Sequence, residues 1–117
     1  MINAHRGEAE LSFGGRTYVL WFGWSGIAML QAEFGRDDLE TAMADALAAK
    51  DLRALATMLA IAMRESRPGI TADDIIAESP PITAAIDAVA TCLRRTYQGM
   101  EVRDEPASRP PSLMRRI

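Results

Sequence analysis

The segment Glu8-Ala9-Glu10-Leu11-Ser12-Phe13-Gly14-Gly15-Arg16-Thr17-Tyr18-Val19-Leu20-Trp21-Phe22 decides the fold. Two strand-like runs, Glu8 to Phe13 and Arg16 to Phe22, flank Gly14-Gly15, a dipeptide that supplies positive φ at both central positions of a tight turn. Pairing Phe13 with Arg16 places Leu11 opposite Tyr18 and Ala9 opposite Leu20. Ala9, Leu11, Phe13, Tyr18, Leu20 and Phe22 then share one face, and Glu8, Glu10, Ser12, Thr17, Val19 and Trp21 share the other. A register set by the turn alone also segregates the apolar side chains, and that agreement between independent cues predicts a β-hairpin. A lone hairpin is marginal in water, so it must pack on helices or pair with strands from another chain.

Beyond Gly23 the apolar period changes from two to that of a helix. Ser25 is a candidate N-cap for a short helix carrying Ile27, Leu30 and Phe34 and ending at Gly35. A second helix is expected from about Asp38 to Ala49, with Leu39, Met43, Ala46 and Leu47 on one side and Asp37 or Asp38 at its positive end. A third, from about Asp51 to Ser66, is apolar nearly all round and so belongs in the middle of the core. After the breaker Arg67-Pro68-Gly69, Thr71 and Asp74 form a capping-box variant for a helix over Ala72–Glu78. Ser79, Pro80 and Pro81 then predict the opening of a last helix, which runs to about Gln98 with Gly99 as its C-cap. Its apolar stripe is Ile82, Ile86, Val89, Leu93 and Tyr97. Past Met100 the chain turns rich in Pro, Ser, Arg and acid and builds no packed element. The expected architecture is α+β, mostly α: an N-terminal β-hairpin followed by four to five helices in one domain over 1–100, with a flexible C-terminal tail over 101–117.

The 117 residues suit one core, 49% of them being apolar. Thirteen basic side chains stand against sixteen acidic ones, a net charge of −3, and Arg6, Arg16, Arg36, Arg53 and Arg64 are scattered among acidic neighbours. Duplex binding gathers basic residues on one face to neutralise phosphates, so no nucleic-acid partner is expected. Leu52 to Met63, the longest strongly apolar stretch, falls well short of the roughly 20 residues that span a bilayer, so no membrane partner is expected either. One cysteine, Cys92, builds no internal disulfide framework, and the N-terminus lacks the pattern of a secretory signal, which together point to a reducing, cytoplasmic setting.

Catalytic and cofactor chemistry finds few residues to work with. His5 is the only histidine, and zinc needs three or four suitably spaced ligands where the chain offers one Cys and one distant His. The carboxylate pairs Asp37-Asp38 and Asp73-Asp74 sit where helix starts favour negative charge, and no glycine pattern cradles a phosphate. The expectation is a protein with no enzymatic activity, no cofactor and no metal. Candidate protein-binding residues are Val19 and Trp21 on the second face of the hairpin, Trp24 just beyond it, and Leu113 and Met114, apolar residues ahead of Arg115 and Arg116 in the tail.

The opening His5-Arg6-Gly7-Glu8, the two strands about Gly14-Gly15, and the run Ile27-Ala28-Met29-Leu30-Gln31-Ala32-Glu33-Phe34-Gly35 followed by Leu39 resemble the gene transfer agent and phage tail assembly chaperone family. The likeness covers about residues 4 to 60. Phe34 stands where that family more often has a small residue, and Trp21 and Trp24 are unusual in it. The resemblance implies a holdase that binds the tape measure protein, a long helical tail component, or another tail protein, and keeps it soluble until the tail tube forms around it. A homo-oligomer is compatible with this. The alternative is a small structural or adaptor subunit of a tail-like particle, with a helical DNA-binding regulator a distant third.

Overall fold

A computed structural model describes residue 3, residues 6–35 and residues 37–104, with side chains described up to residue 98. It has two strands, β1 (Ala9–Phe13) and β2 (Arg16–Leu20), then five helices: α1 (Gly23–Phe34), α2 (Leu39–Ala48), α3 (Leu52–Ala62), α4 (Ala72–Glu78) and α5 (Ile82–Asp104). The strands pair antiparallel in the register read from the turn, with Phe13 opposite Arg16, Leu11 opposite Tyr18 and Ala9 opposite Leu20. Gly14 and Gly15 have φ of 61° and 78°, the doubly positive conformation that matches the twist of the flanking strands. Ala9, Leu11, Leu20 and Phe22 are buried, whereas Phe13 and Tyr18 pack at the core's margin with ring centroids 5.0 Å apart.

α3 is the central helix, with seven of its eleven residues buried. Asp51 caps it, its carboxylate accepting the Ala54 N–H at 3.1 Å, and α1, α2, α4, α5 and β2 all pack against it. It ends at Ala62, four residues short of the expected Ser66, because residues 63–66 turn to meet the hairpin. α4 has the bounds expected of it, and both halves of the capping box form: Thr71 Oγ1 accepts the Asp74 N–H at 3.1 Å, and Asp74 Oδ2 accepts the Thr71 N–H at 3.0 Å.

Three end-cap expectations are corrected. α1 starts at Gly23 with Phe22 as N-cap, and the Ser25 hydroxyl instead accepts from Arg64 at 2.6 Å. Asp38 stands at the N-terminal end of α2 as expected, acting there by position, since its side chain makes no capping bond. Ser79 closes α4 in a left-handed conformation, its Oγ donating to the Ile76 carbonyl, so α5 begins only at Ile82. Gly99 does not cap α5, whose backbone continues to Asp104. Residues 101–104, expected in the tail, continue the helix, and residues 105–117 lie outside the described residues.

The most buried face of α5 is shifted from the expected stripe and overlaps it. Ala85, Ala88, Val89, Cys92 and Thr96 are buried, while Ile86, Leu93 and Tyr97 are half-buried and Ile82 is exposed. Small side chains let the helix lie close on β1, which bulky ones would hold away. The approach is sealed by Cys92 Sγ donating to the Gly7 carbonyl at 3.4 Å and Arg95 donating to the Glu8 carbonyl at 2.7 Å. Glu8 is accordingly buried rather than on the outer face, its carboxylate taken up by Arg6 at 3.2 Å and the Asn3 N–H at 2.7 Å.

Gly23 is a point of high sensitivity at the hairpin-to-helix corner. Its φ is 66°, and a Cβ there would meet the Trp21 ring at 2.4 Å. Gly23→Ala is expected to lower stability by about 2 kcal/mol, from left-handed strain plus displacement of the indole. A denaturant titration and a shift of tryptophan emission check this, and an unchanged midpoint would refute it.

Candidate protein-binding surfaces

Trp21 and Val19, expected as binding residues, are engaged within the fold. The Trp21 backbone N–H donates to the Ala62 carbonyl at 2.9 Å, and its indole Nε1–H donates to the Arg6 carbonyl at 3.1 Å. The guanidinium of Arg6 lies 4.1 Å from the ring centroid and that of Arg64 lies 5.2 Å from it, positions where the electron-rich ring faces attract a cation. Arg64 also donates to the carbonyls of Trp21 (3.1 Å), Ile61 (2.7 Å) and Phe22 (2.8 Å). Arg6 adds a two-pronged pair with Glu65 at 2.9 Å. The carbonyl of Val19 accepts from Ser66 Oγ at 3.2 Å, so residues 62–66 occupy the outer edge of β2.

Trp24 is different, for 70% of it is exposed on α1, where Met29 is 43% exposed. The structure thus separates the candidates: Trp24 faces outward, while Trp21 and Val19 join the hairpin to α3. Leu113 and Met114 lie outside the described residues.

Among the described residues five large apolar side chains are exposed, and the three not on α1 converge. Leu52, Ile76 and Ile82, exposed by 52%, 40% and 41%, rim a cleft of about 360 Å³ floored by Leu55, Leu59 and Ile75. Pro80 and Pro81 form part of its wall. Sequence reasoning counted Leu52 and Ile82 as core residues. The available signal was their place in the first turn of a helix, Leu52 directly after the Asp51 cap and Ile82 directly after two prolines, where a side chain reaches beyond the helix it opens. A second cleft of about 370 Å³ lies between α2 and α5, lined by Met43, Leu47, Leu93 and Tyr97 together with Glu40 and Arg94. Burial, with a smaller contribution from Glu40, holds the Tyr97 hydroxyl above its ordinary pKa.

Cys92 is fully buried, and that burial pushes its thiol from an ordinary value near 9.0 up to about 12. Since only the thiolate is a good nucleophile, the native chain should resist alkylation by iodoacetamide at pH 8 and react promptly in denaturant. Because the folded pKa is the raised one, the neutral thiol's contribution to stability is complete below pH 9 and is lost as pH climbs from there towards 12. Rapid labelling of the native chain would show the pocket to be open. Among the described residues no three His, Cys, Asp or Glu side chains gather as a metal site would need, and no helix is long and apolar enough to cross a membrane. No family model, curated protein or solved structure matches the chain.

Proposed function

We propose that the chain is a tail assembly chaperone that binds the tape measure protein and keeps it soluble during tail assembly, acting by covering client surface and by no chemistry of its own. The observation that carries this role is the preformed apolar cleft between α3, α4 and α5, whose rim exposes Leu52, Ile76 and Ile82. Water solvates such a surface poorly, and an apolar partner gains by covering it. The resemblance of residues 4 to 60 to the chaperone family supplies the identity of that partner. Within the host cytoplasm the chain would meet its client during or just after synthesis.

Co-expression with the tape measure protein of the same gene cluster tests the role, read by affinity capture and by client solubility with and without the chain. Capture with rescued solubility, and absence of the chain from finished particles, is the expected result. Persistence in finished particles would favour a structural or adaptor subunit instead. Residues 62–66 already occupy the outer edge of β2, so an added strand from a neighbouring subunit would have to enter along β1. Failure of capture sinks the chaperone role.

A further inference from the structure

We infer that the open edge of β1 receives a free extended segment of a partner protein, paired antiparallel along Glu10–Ser12 with a Lys or Arg beside Glu10. This docking edge does not depend on the chaperone role, since a client or a neighbouring tail protein would supply such a segment alike.

The backbone selects a strand. Phe13, Leu11 and Ala9 turn their amide and carbonyl groups to Arg16, Tyr18 and Leu20 across the two-residue turn, so those of Glu10 and Ser12 point away from β2. Among the described residues no backbone group meets them. The opening has a defined start, because one step back the Glu8 N–H donates to the Asn3 carbonyl at 3.1 Å and the Glu8 carbonyl accepts from Arg95 at 2.7 Å. Pro, Lys and bulges commonly guard such an edge, and Ala9–Phe13 has none of them along an unbroken register. Donors and acceptors that recur at every second residue are matched by another strand, and the sheet it would join has only two.

The guest is a free segment and not a second copy. α5 lies against β1, packing on it more than on β2 and holding Gly7 and Glu8. Pairing two copies through β1 would set their first strands about 4.8 Å apart. The two α5 helices would come nearly as close, where packed helices need roughly 8–10 Å. A strand with no helix attached beneath it meets no such clash.

The basic residue follows from Glu10, which is exposed and makes no ion pair among the described residues. Its neighbour on β2 is Val19, and Ser12, next along the same face, already shares a hydrogen bond with Thr17 at 2.8 Å. The cations of the adjoining elements are placed otherwise. Arg6 pairs with Glu8 and Glu65, Arg95 is held on the Glu8 carbonyl, Arg94 lines the α2–α5 cleft, and Arg16 stands opposite Phe13 on the other face. A Lys or Arg on the incoming strand supplies the partner Glu10 lacks, and apolar residues then fall beside Leu11 on the inner face.

The test uses the full chain and a fluorescent peptide that alternates Lys or Thr with Val, with a second peptide carrying Glu for Lys. In the antiparallel register the Lys and Thr amides face β1 and the Val amides face away. N-methylation of the Lys and Thr amides should therefore lower affinity about tenfold or more, whereas N-methylation of the Val amides should leave it within about twofold. The Lys peptide should bind about fivefold more tightly than the Glu peptide, and Glu10→Lys should reverse that order. Saturating peptide should slow hydrogen exchange at the Glu10 and Ser12 amides, and Leu52→Gln in the α3–α4–α5 cleft should leave binding unchanged. Equal loss from the two methylations, unaltered exchange at Glu10 and Ser12, or indifference to Glu10→Lys overturns the inference. Dimerisation that the peptide competes away would give the edge to a second copy and overturn it likewise. So would peptide binding that tightens about tenfold in a chain ended after Asp104, which would give the edge to residues 105–117.

Discussion

Phe22→Ala should lower the unfolding free energy by about 4 kcal/mol, the largest effect expected of any single substitution here. Phe22 is fully buried at the point where β2 hands over to α1. A Cβ added to Gly26, one turn along, would already stand 2.9 Å from the Phe22 Cβ, so the backbones are close and have little room to collapse into the hole. The residue also serves through its backbone, its carbonyl accepting the Gly26 N–H at 2.9 Å and Arg64 at 2.8 Å. Losing the ring frees the corner that those bonds define. Equilibrium denaturation followed by far-UV circular dichroism measures the effect, with Phe22→Leu at about half of it. A loss under about 1 kcal/mol would mean that the site repacks.

Arg64→Ala is next, at about 3 kcal/mol. Its guanidinium satisfies three carbonyls and the Ser25 hydroxyl from the end of α3 and lies over Trp21. Truncation leaves those carbonyls, partly shielded from water, without a donor. Arg64→Lys retains the charge but not the planar fork, so it should recover only part of the loss. Tryptophan emission should shift to the red in the alanine variant as one face of Trp21 is uncovered. An Arg64→Lys protein as stable as the parent would show that charge alone suffices.

How much of this was legible in the sequence differs from element to element. The hairpin and its register were, since turn chemistry and alternation are both local and agree. α4 was as well, because a capping box is a short-range signal that tertiary contacts seldom override. The stripe of α5 was legible in part: Val89 is buried and Ile86, Leu93 and Tyr97 pack against the core, but the side that lies on β1 is chosen by closeness, and closeness selects Ala85, Ala88 and Cys92. Arg64 gave no signal at all. An arginine that knits a corner and one that floats in water are the same letter, and only the chain path tells them apart. Trp21 stood between an outward and an inward role until Arg6 and Arg64 were found on it. Among the candidate residues, the sequence left Trp24 between an exposed and a covered position, and the α3–α4–α5 cleft depends on how three helix ends meet.

The bonds from Cys92 to Gly7 and from Arg95 to Glu8 join residues 85 and 87 positions apart in the chain. On the ribosome, the hairpin emerges well before the helix that shelters its apolar face. The domain cannot complete itself vectorially: residues 85 and 87 positions further along must clear the exit tunnel before the first strand finds its cover. A stalled or prematurely ended product would display Leu11 and Leu20 for as long as it survived. A protein proposed to shield others while they wait for assembly thus passes through a comparable wait of its own.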